Sequence, residues 1–426
     1  MRRASGTISR AVTFAAAWLS IASCNGNRPP APTLGAVTRV SAATGVGAAP
    51  MVALSAEGHR AITWVSAPDS GTDGSVFVSV DGGAPARITD PLAPVEVHGE
   101  APPKVAFAPD GSLYAVYLLG KDVGKRFPVS ALRSVRSTDL GRTWSAPVTV
   151  TDDTAEFGSH SFHALTVAQD GTVYVAWLDG RTGKSAAYVT HSTDGGAHWA
   201  PNVKMSVGET CPCCRTSLAA GRNGVVYAAW RSVLDGNQRD VVVARSADYG
   251  ATWSTPRRVH ADGWKIDACP HAGPSIQLDS AGALHVLWWT GAPDAAGVFY
   301  AVSRDSARTF SAPVAVSAQR APMPSHVQLA LGGTGAILAA WDELANGRPQ
   351  VFVRVARDGA SFSDAVPLAS PTATAQFPVI AVYADTAYVA WSATGTIPPA
   401  HHEMEAEKVP LEPVGATQVL MRPVVL

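Results

Sequence analysis

Seven short segments of the chain repeat one apolar pattern: RAITWVS, SLYAVYLL, TVYVAWLD, VVYAAWRS, ALHVLWWT, AILAAWDE and TAYVAWSA. Each is a run of five to eight apolar or β-branched residues bounded by Gly, Asp, Asn or Ser, as a buried strand requires. No long window repeats apolar residues at helical spacing, so the pattern predicts an all-β chain of short strands and turns. The segments align on one aromatic each, namely Trp64, Tyr117, Trp177, Trp230, Trp288, Trp341 and Trp391. Seven such copies predict seven units, with six as the alternative count.

A second repeat follows the first. RSTDLGRTWS, HSTDGGAHWA, RSADYGATWS and VSRDSARTFS close on Trp144, Trp199, Trp253 and Phe310, in steps of 55, 54 and 57 residues. One four-stranded unit fits each step. Asp and Gly suit a hairpin turn, because the carboxylate accepts backbone N–H groups while Gly takes a positive φ. The fourth copy has Ala307 for Gly and Phe310 for Trp, ARDGASF ending at Phe362 is a shortened relative, and SVDGG (Ser79 to Gly83) is half a box. The motif Ser-x-Asp-x-Gly-x-x-Trp resembles the Asp box of the sialidase-like (BNR) β-propellers. That resemblance implies a structural role for Asp139, Asp194 and Asp248, and one β-propeller over residues 35–426. TQVLMRP near the C-terminus and GAVTRVS before the first unit each lack a unit of their own. Pairing them would close the ring and remove its open edges.

Charged residues are 16% of the chain and the net charge is -1, which gives no electrostatic case for nucleic acid. The first residues read as an export signal: basic MRRASGTISR, apolar AVTFAAAWLSIAS, then Cys24. Ile21 to Cys24 resembles the bacterial lipobox, which implies a lipoprotein with a signal over residues 1–23, lipidation at Cys24 and a Pro-rich tether over 24–34. The expected location is the cell envelope outside the cytoplasm, on the periplasmic or surface side, held to a membrane by lipid.

Of five cysteines, Cys211, Cys213 and Cys214 crowd into GETCPCCRTS. In a propeller the segment before the innermost strand and the loop after the second strand share the face opposite the boxes. Seventeen residues before the aligned aromatics stand Glu100, His160, Cys213 and His271 in four consecutive units; nineteen before stand His98, Gly158, Cys211 and Cys269. The other units offer Gly47, Thr374 and, allowing a two-residue longer hairpin in unit six, Pro322 beside Met323. The last unit adds HHEMEAE, with His401, His402, Glu403 and Met404. Thiolate, imidazole and thioether favour copper or zinc over Mg²⁺ or Ca²⁺. The expected ligands are Cys211, Cys213, Cys214, Cys269 and His271, assisted by His98, Glu100 and His160. Disulfides between units four and five are the competing reading for an exported chain, whereas His191, His198 and His285 fall elsewhere.

The family resemblance also raises an exo-sialidase or related glycoside hydrolase. No Arg-Ile-Pro motif is present, and no Tyr/Glu nucleophile pair can be assigned. Arg181, Arg231, Arg239 and Arg348 lie in loops of the expected face, where they could clamp a carboxylate or pair with Asp179, Asp235, Asp240 or Asp342. A non-catalytic platform for a glycan or an envelope protein is the third reading.

Overall fold

A computed structural model describes residues 28–42, 45–67, 73–89, 95–121, 123–124, 129–293, 295–317, 325–393 and 417–426. Cys24, Met323 and the His401 to Met404 loop lie outside the described residues.

Seven antiparallel sheets make seven blades. Blade three shows the plan: His160–Val167, Val173–Asp179, Ala186–Ser192 and Val203–Lys204 pair in chain order. The first strands of successive blades contact one another all the way round, and that of blade seven (Ala375–Tyr383) contacts that of blade one (Val46–Leu54). These strands line the axis, and the alternative of six blades is excluded.

The aligned aromatics are the keystones between blades. Trp177, Trp230, Trp341 and Trp391 are completely buried, and Trp64, Tyr117 and Trp288 nearly so. Burying a side chain of this size contributes roughly 1.5–3 kcal/mol. Each apolar cluster spans two neighbouring blades, as where Tyr174 and Leu178 of blade three meet Trp230 of blade four. That is why the period-two pattern collapses into unbroken apolar runs: both faces of each strand are covered.

The ring closes between its ends. Gln418–Val425 is the third strand of blade seven, and Thr33–Leu34 and Thr38–Arg39 pair along its outer edge. Thr38 faces Met421 and Arg39 faces Leu420, within the two unpaired segments identified in the sequence.

The Asp boxes connect third and fourth strands. In blade two, Asp139 accepts the Thr143 amide at 2.9 Å and the Thr143 hydroxyl at 2.6 Å, while Trp144 Nε1 donates to the Gly141 carbonyl at 3.1 Å. The hydrogen bonds from Thr143 and Ser137 hold the Asp139 carboxyl down at about 2. The degenerate fourth box keeps the geometry: Ala307 adopts φ 61 where its counterparts are Gly, and Asp305 still receives Thr309.

Candidate functional site

The blade entries meet at one mouth of the channel. In GETCPCCRTS the Cys211 amide donates to the Arg231 carbonyl at 2.9 Å, and the Cys214 amide turns back to the Cys211 carbonyl at 3.5 Å. Pro212 stands at the second position of that turn, where its fixed φ favours the bend. The turn stacks the side chains. Cys214 Sγ is 3.4 Å from Cys211 Sγ, and Cys213 Sγ is 3.8 Å from it. All three are buried, in the apolar cluster that holds Phe162, Leu178 and Trp230. Cys269, from blade five, is exposed and hydrogen-bonds Cys213. These four cysteines are free thiols.

Charge is distributed unevenly among them. Hydrogen bonds from Cys213 and Cys214, then the charges of Arg231 and Arg239, push the Cys211 thiol well down despite its burial. Arg239 Nη1 donates to Cys211 Sγ at 3.3 Å. Cys213 is raised by its thiol neighbours, and Cys214 is raised by burial first and then by Cys211. Of the three thiols, Cys211 is the one these contacts make most acidic, with the Arg239 hydrogen bond and the Arg231 charge both on its side.

The imidazoles are arranged around this cluster unequally. His271 has φ 49, a left-handed conformation unusual for a side chain of its size. Its ring lies 5.5 Å from that of His98 and 6.1 Å from that of Phe162, and burial holds it neutral by lowering its pKa. His98 Nδ1 accepts the Glu100 amide at 3.2 Å, which leaves the proton of the neutral ring on Nε2 and makes His98 a donor in this arrangement. A cavity of about 200 Å³ is lined by His98, His160, Phe162, Pro212, Cys213 and Cys269. Thus the entries of blades two to five converge, on the face opposite the boxes.

Two of the expected ligands point to other partners. Glu100 is fully buried and pairs with Arg215 at 2.6 Å. His160 Nε2 faces Asp153 Oδ2 at 3.4 Å and Asp179 Oδ2 at 3.7 Å instead of the thiols.

The sequence register fails at blade six. Leu331 pairs with Ile337 just as Val167 pairs with Val173, Ala220 with Val226 and Leu278 with Leu284. The hairpin is not longer, so the position equivalent to Cys213 is Pro324, not Pro322. His326 then falls level with Phe162, Arg215 and Gly273. It enters the axis, where its Nδ1 bonds Asp342 at 2.7 Å and its Nε2 lies 3.8 Å from Glu100. Burial works to lower the His326 pKa, but the Asp342 and Glu100 carboxylates outweigh it and raise it. Lys104 and Arg215 complete this buried group, and sequence reasoning had singled out neither.

Each of the four arginines is engaged by groups of the chain itself, Arg181 by Asp179 as the pairing reading expects. Arg181 is held by Asp179, Asp152 and Asn202. Arg231 is wholly buried and spends its donors on the carbonyls of Ala272, Arg239 and Trp289. Arg239 serves Asn237 and Cys211, and Arg348 reaches the Thr372 carbonyl. Asp240 pairs with Arg258 and Asp342 with His326, so neither is the expected partner of the arginine near it.

Seven four-stranded blades with Asp-box turns between their third and fourth strands make the chain a seven-bladed β-propeller. Residues 83–264 match the family model described as a BNR repeat-like domain. Among curated proteins, none matches the chain in sequence. Solved structures are similar at low identity. A protein of unknown function from Dyadobacter fermentans is 16% identical, with 93% of this chain and all of the other covered and a TM-score of 0.53. A polysaccharide lyase described as an ulvan lyase is 11% identical over 90% of this chain and 95% of its own, with a TM-score of 0.56. The α-L-arabinanase of Penicillium chrysogenum is 14% identical over 76% and 99%, with a TM-score of 0.50.

Proposed function

We propose that the axial mouth binds one soft metal ion, copper(I) or zinc(II), on Cys211, Cys213 and Cys214, with Cys269 and His271 at its open side. The observation that carries this reading is the sulfur spacing. Two thiolates on one tetrahedral ion at ~2.3 Å lie roughly 3.8 Å apart; the Cys211–Cys213 separation is 3.8 Å and the Cys211–Cys214 separation, 3.4 Å, is somewhat shorter. A disulfide brings its sulfurs to ~2.05 Å. The two arginines would offset the negative charge of a thiolate cluster, and the burial that keeps His271 neutral leaves its ring able to ligate.

The same reading places the propeller outside the cytoplasm on a lipid anchor at Cys24, where it would hold or hand over the ion beside a membrane. Its partner is then the metal ion or an envelope protein that exchanges it. A glycan-cleaving reading draws on the fold alone; the arginines that would bind a sugar carboxylate are committed elsewhere.

Elemental analysis and thiol counting on anaerobically purified protein test this. About one copper or zinc per chain is expected, lost in Cys213→Ser while the near-ultraviolet circular dichroism is kept. No metal together with no free thiols would overturn the proposal in favour of disulfides.

A further inference from the structure

We infer that Asp153, His160 and Asp179 form a second cation site, separate from the thiols, for a divalent ion of the Mn²⁺ or Zn²⁺ class. The three side chains bring one ligand atom each within 4.8 Å of one another. His160 and Asp179 are fully buried, and Asp153 closes the site at its edge.

The tautomer of His160 makes the arrangement demanding. Its Nδ1 lies 2.9 Å from the Ser130 carbonyl, which can only accept, so Nδ1 carries a proton. In the neutral ring Nε2 is then a bare lone pair. That atom is buried and has no hydrogen-bond partner, yet two carboxylate oxygens face it at 3.4 and 3.7 Å. These distances exceed a charge-assisted hydrogen bond of ~2.8 Å. Around an ion with ligand bonds of ~2.1 Å, neighbouring N and O atoms lie roughly 3–3.5 Å apart. A carbonyl that fixes the far nitrogen of a histidine is also the usual outer support of a metal ligand.

Local charge agrees. Asp152 and Asp179 bond one guanidinium, Arg181, while Asp153 faces His160. Three carboxylates against one cation leave two negative charges for a divalent ion to neutralise. Arg181 and Trp177 Nε1 both donate to Asp179 Oδ2, which orients that carboxylate. The space is kept open by Gly158. A Cβ there would lie 2.9 Å from His160 Nε2 and 3.0 Å from Asp153 Oδ2, in the gap between them. One imidazole and two carboxylates favour Mn²⁺ or Zn²⁺ over the soft Cu(I) that thiolates select.

The site shares no residue with the thiol cluster and stands whether or not that cluster binds metal. Its test is Mn²⁺ titration of the full chain, read as loss of the free-ion paramagnetic resonance signal. One Mn²⁺ per chain is expected, displaced by Zn²⁺. Asp153→Asn and Gly158→Ala should each weaken it at least ten-fold, and Cys213→Ser should leave it unchanged. Asp153 is partly exposed and, besides facing His160, accepts the Ala155 amide, so its variant decides the matter if Gly158→Ala fails to fold. Absence of saturable Mn²⁺ binding, or binding undiminished in Asp153→Asn, would overturn the inference and leave His160 as an imidazolium between two carboxylates.

Discussion

Lys104 shows what the axis costs a single residue. Its side chain is buried beside Glu100 and Arg215, and burial together with the Arg215 charge lowers its pKa from 10.5 to about 7, with Glu100 opposing. The unfolded chain retains the ordinary value. Between pH 7 and ~10.5 the unfolded chain therefore holds a proton that the folded chain lacks, and stability rises with pH across that window. Below pH 7 both states are charged and the burial penalty is felt in full. Lys104→Met should raise the urea midpoint at pH 6, and the gain should shrink steadily toward pH 10. An equal gain at all three of pH 6, 8 and 10 would show that packing, not charge, is responsible. Neither Lys104 nor Arg215 was legible in the sequence. A register count places Cα positions along strands, and it placed Cys213, Cys269 and His271 at one mouth. It does not say where a long side chain reaches across the axis, and so it missed that Glu100 meets Arg215 and that His160 turns to Asp153 and Asp179.

Elements were more legible than residues, because a turn is written in consecutive positions. Ser-x-Asp-x-Gly-x-x-Trp names the Ser, Asp, Gly and Trp of the box, while the Thr that also bonds the carboxylate stands at a position the motif leaves open. Ser246 is almost fully buried; its hydroxyl donates to Asp248 at 2.7 Å and accepts the Gly250 amide at 2.9 Å and the Asp248 amide at 3.3 Å. Ser246→Ala leaves two amides and a carboxylate oxygen short of a partner, one of the amides buried, which costs roughly 1–3 kcal/mol. Urea unfolding should register that loss with metal content unchanged, since the box lies on the opposite face from the thiols. A difference within ~0.5 kcal/mol would mean that Asp248 alone holds the turn. Blade six marks the limit of this legibility. Its entry is shifted by two residues when a longer hairpin is allowed for, whereas the pairing of Leu331 with Ile337 shows a hairpin of the ordinary length. That shift passes over His326, whose imidazole bonds the Asp342 carboxylate at the axis.

At the scale of the whole molecule the ring depends on two segments that are distant in sequence. Val40 donates to the Val419 carbonyl at 2.8 Å, Val419 donates to Ser41 Oγ at 2.9 Å, and Arg422 Nε reaches the Gly35 carbonyl at 2.6 Å. The count of seven aromatics and two leftover strands made this closure readable, since a propeller with an open edge would expose a row of unpaired amides. Deleting residues 28–41 uncovers Gln418–Val425, whose Val419 and Val424 are fully buried in the closed ring. The truncated chain should unfold at lower urea and associate through that edge, seen as increased light scattering with protein concentration. A synthetic peptide of residues 28–42 supplied in trans should restore the midpoint and suppress association, because only the covalent link, not the pairing surface, has been removed. The thiols lie in blades four and five, away from the seam, so metal content should survive the cut. An unchanged midpoint after truncation would show that contact between the first strands of blades one and seven closes the ring by itself.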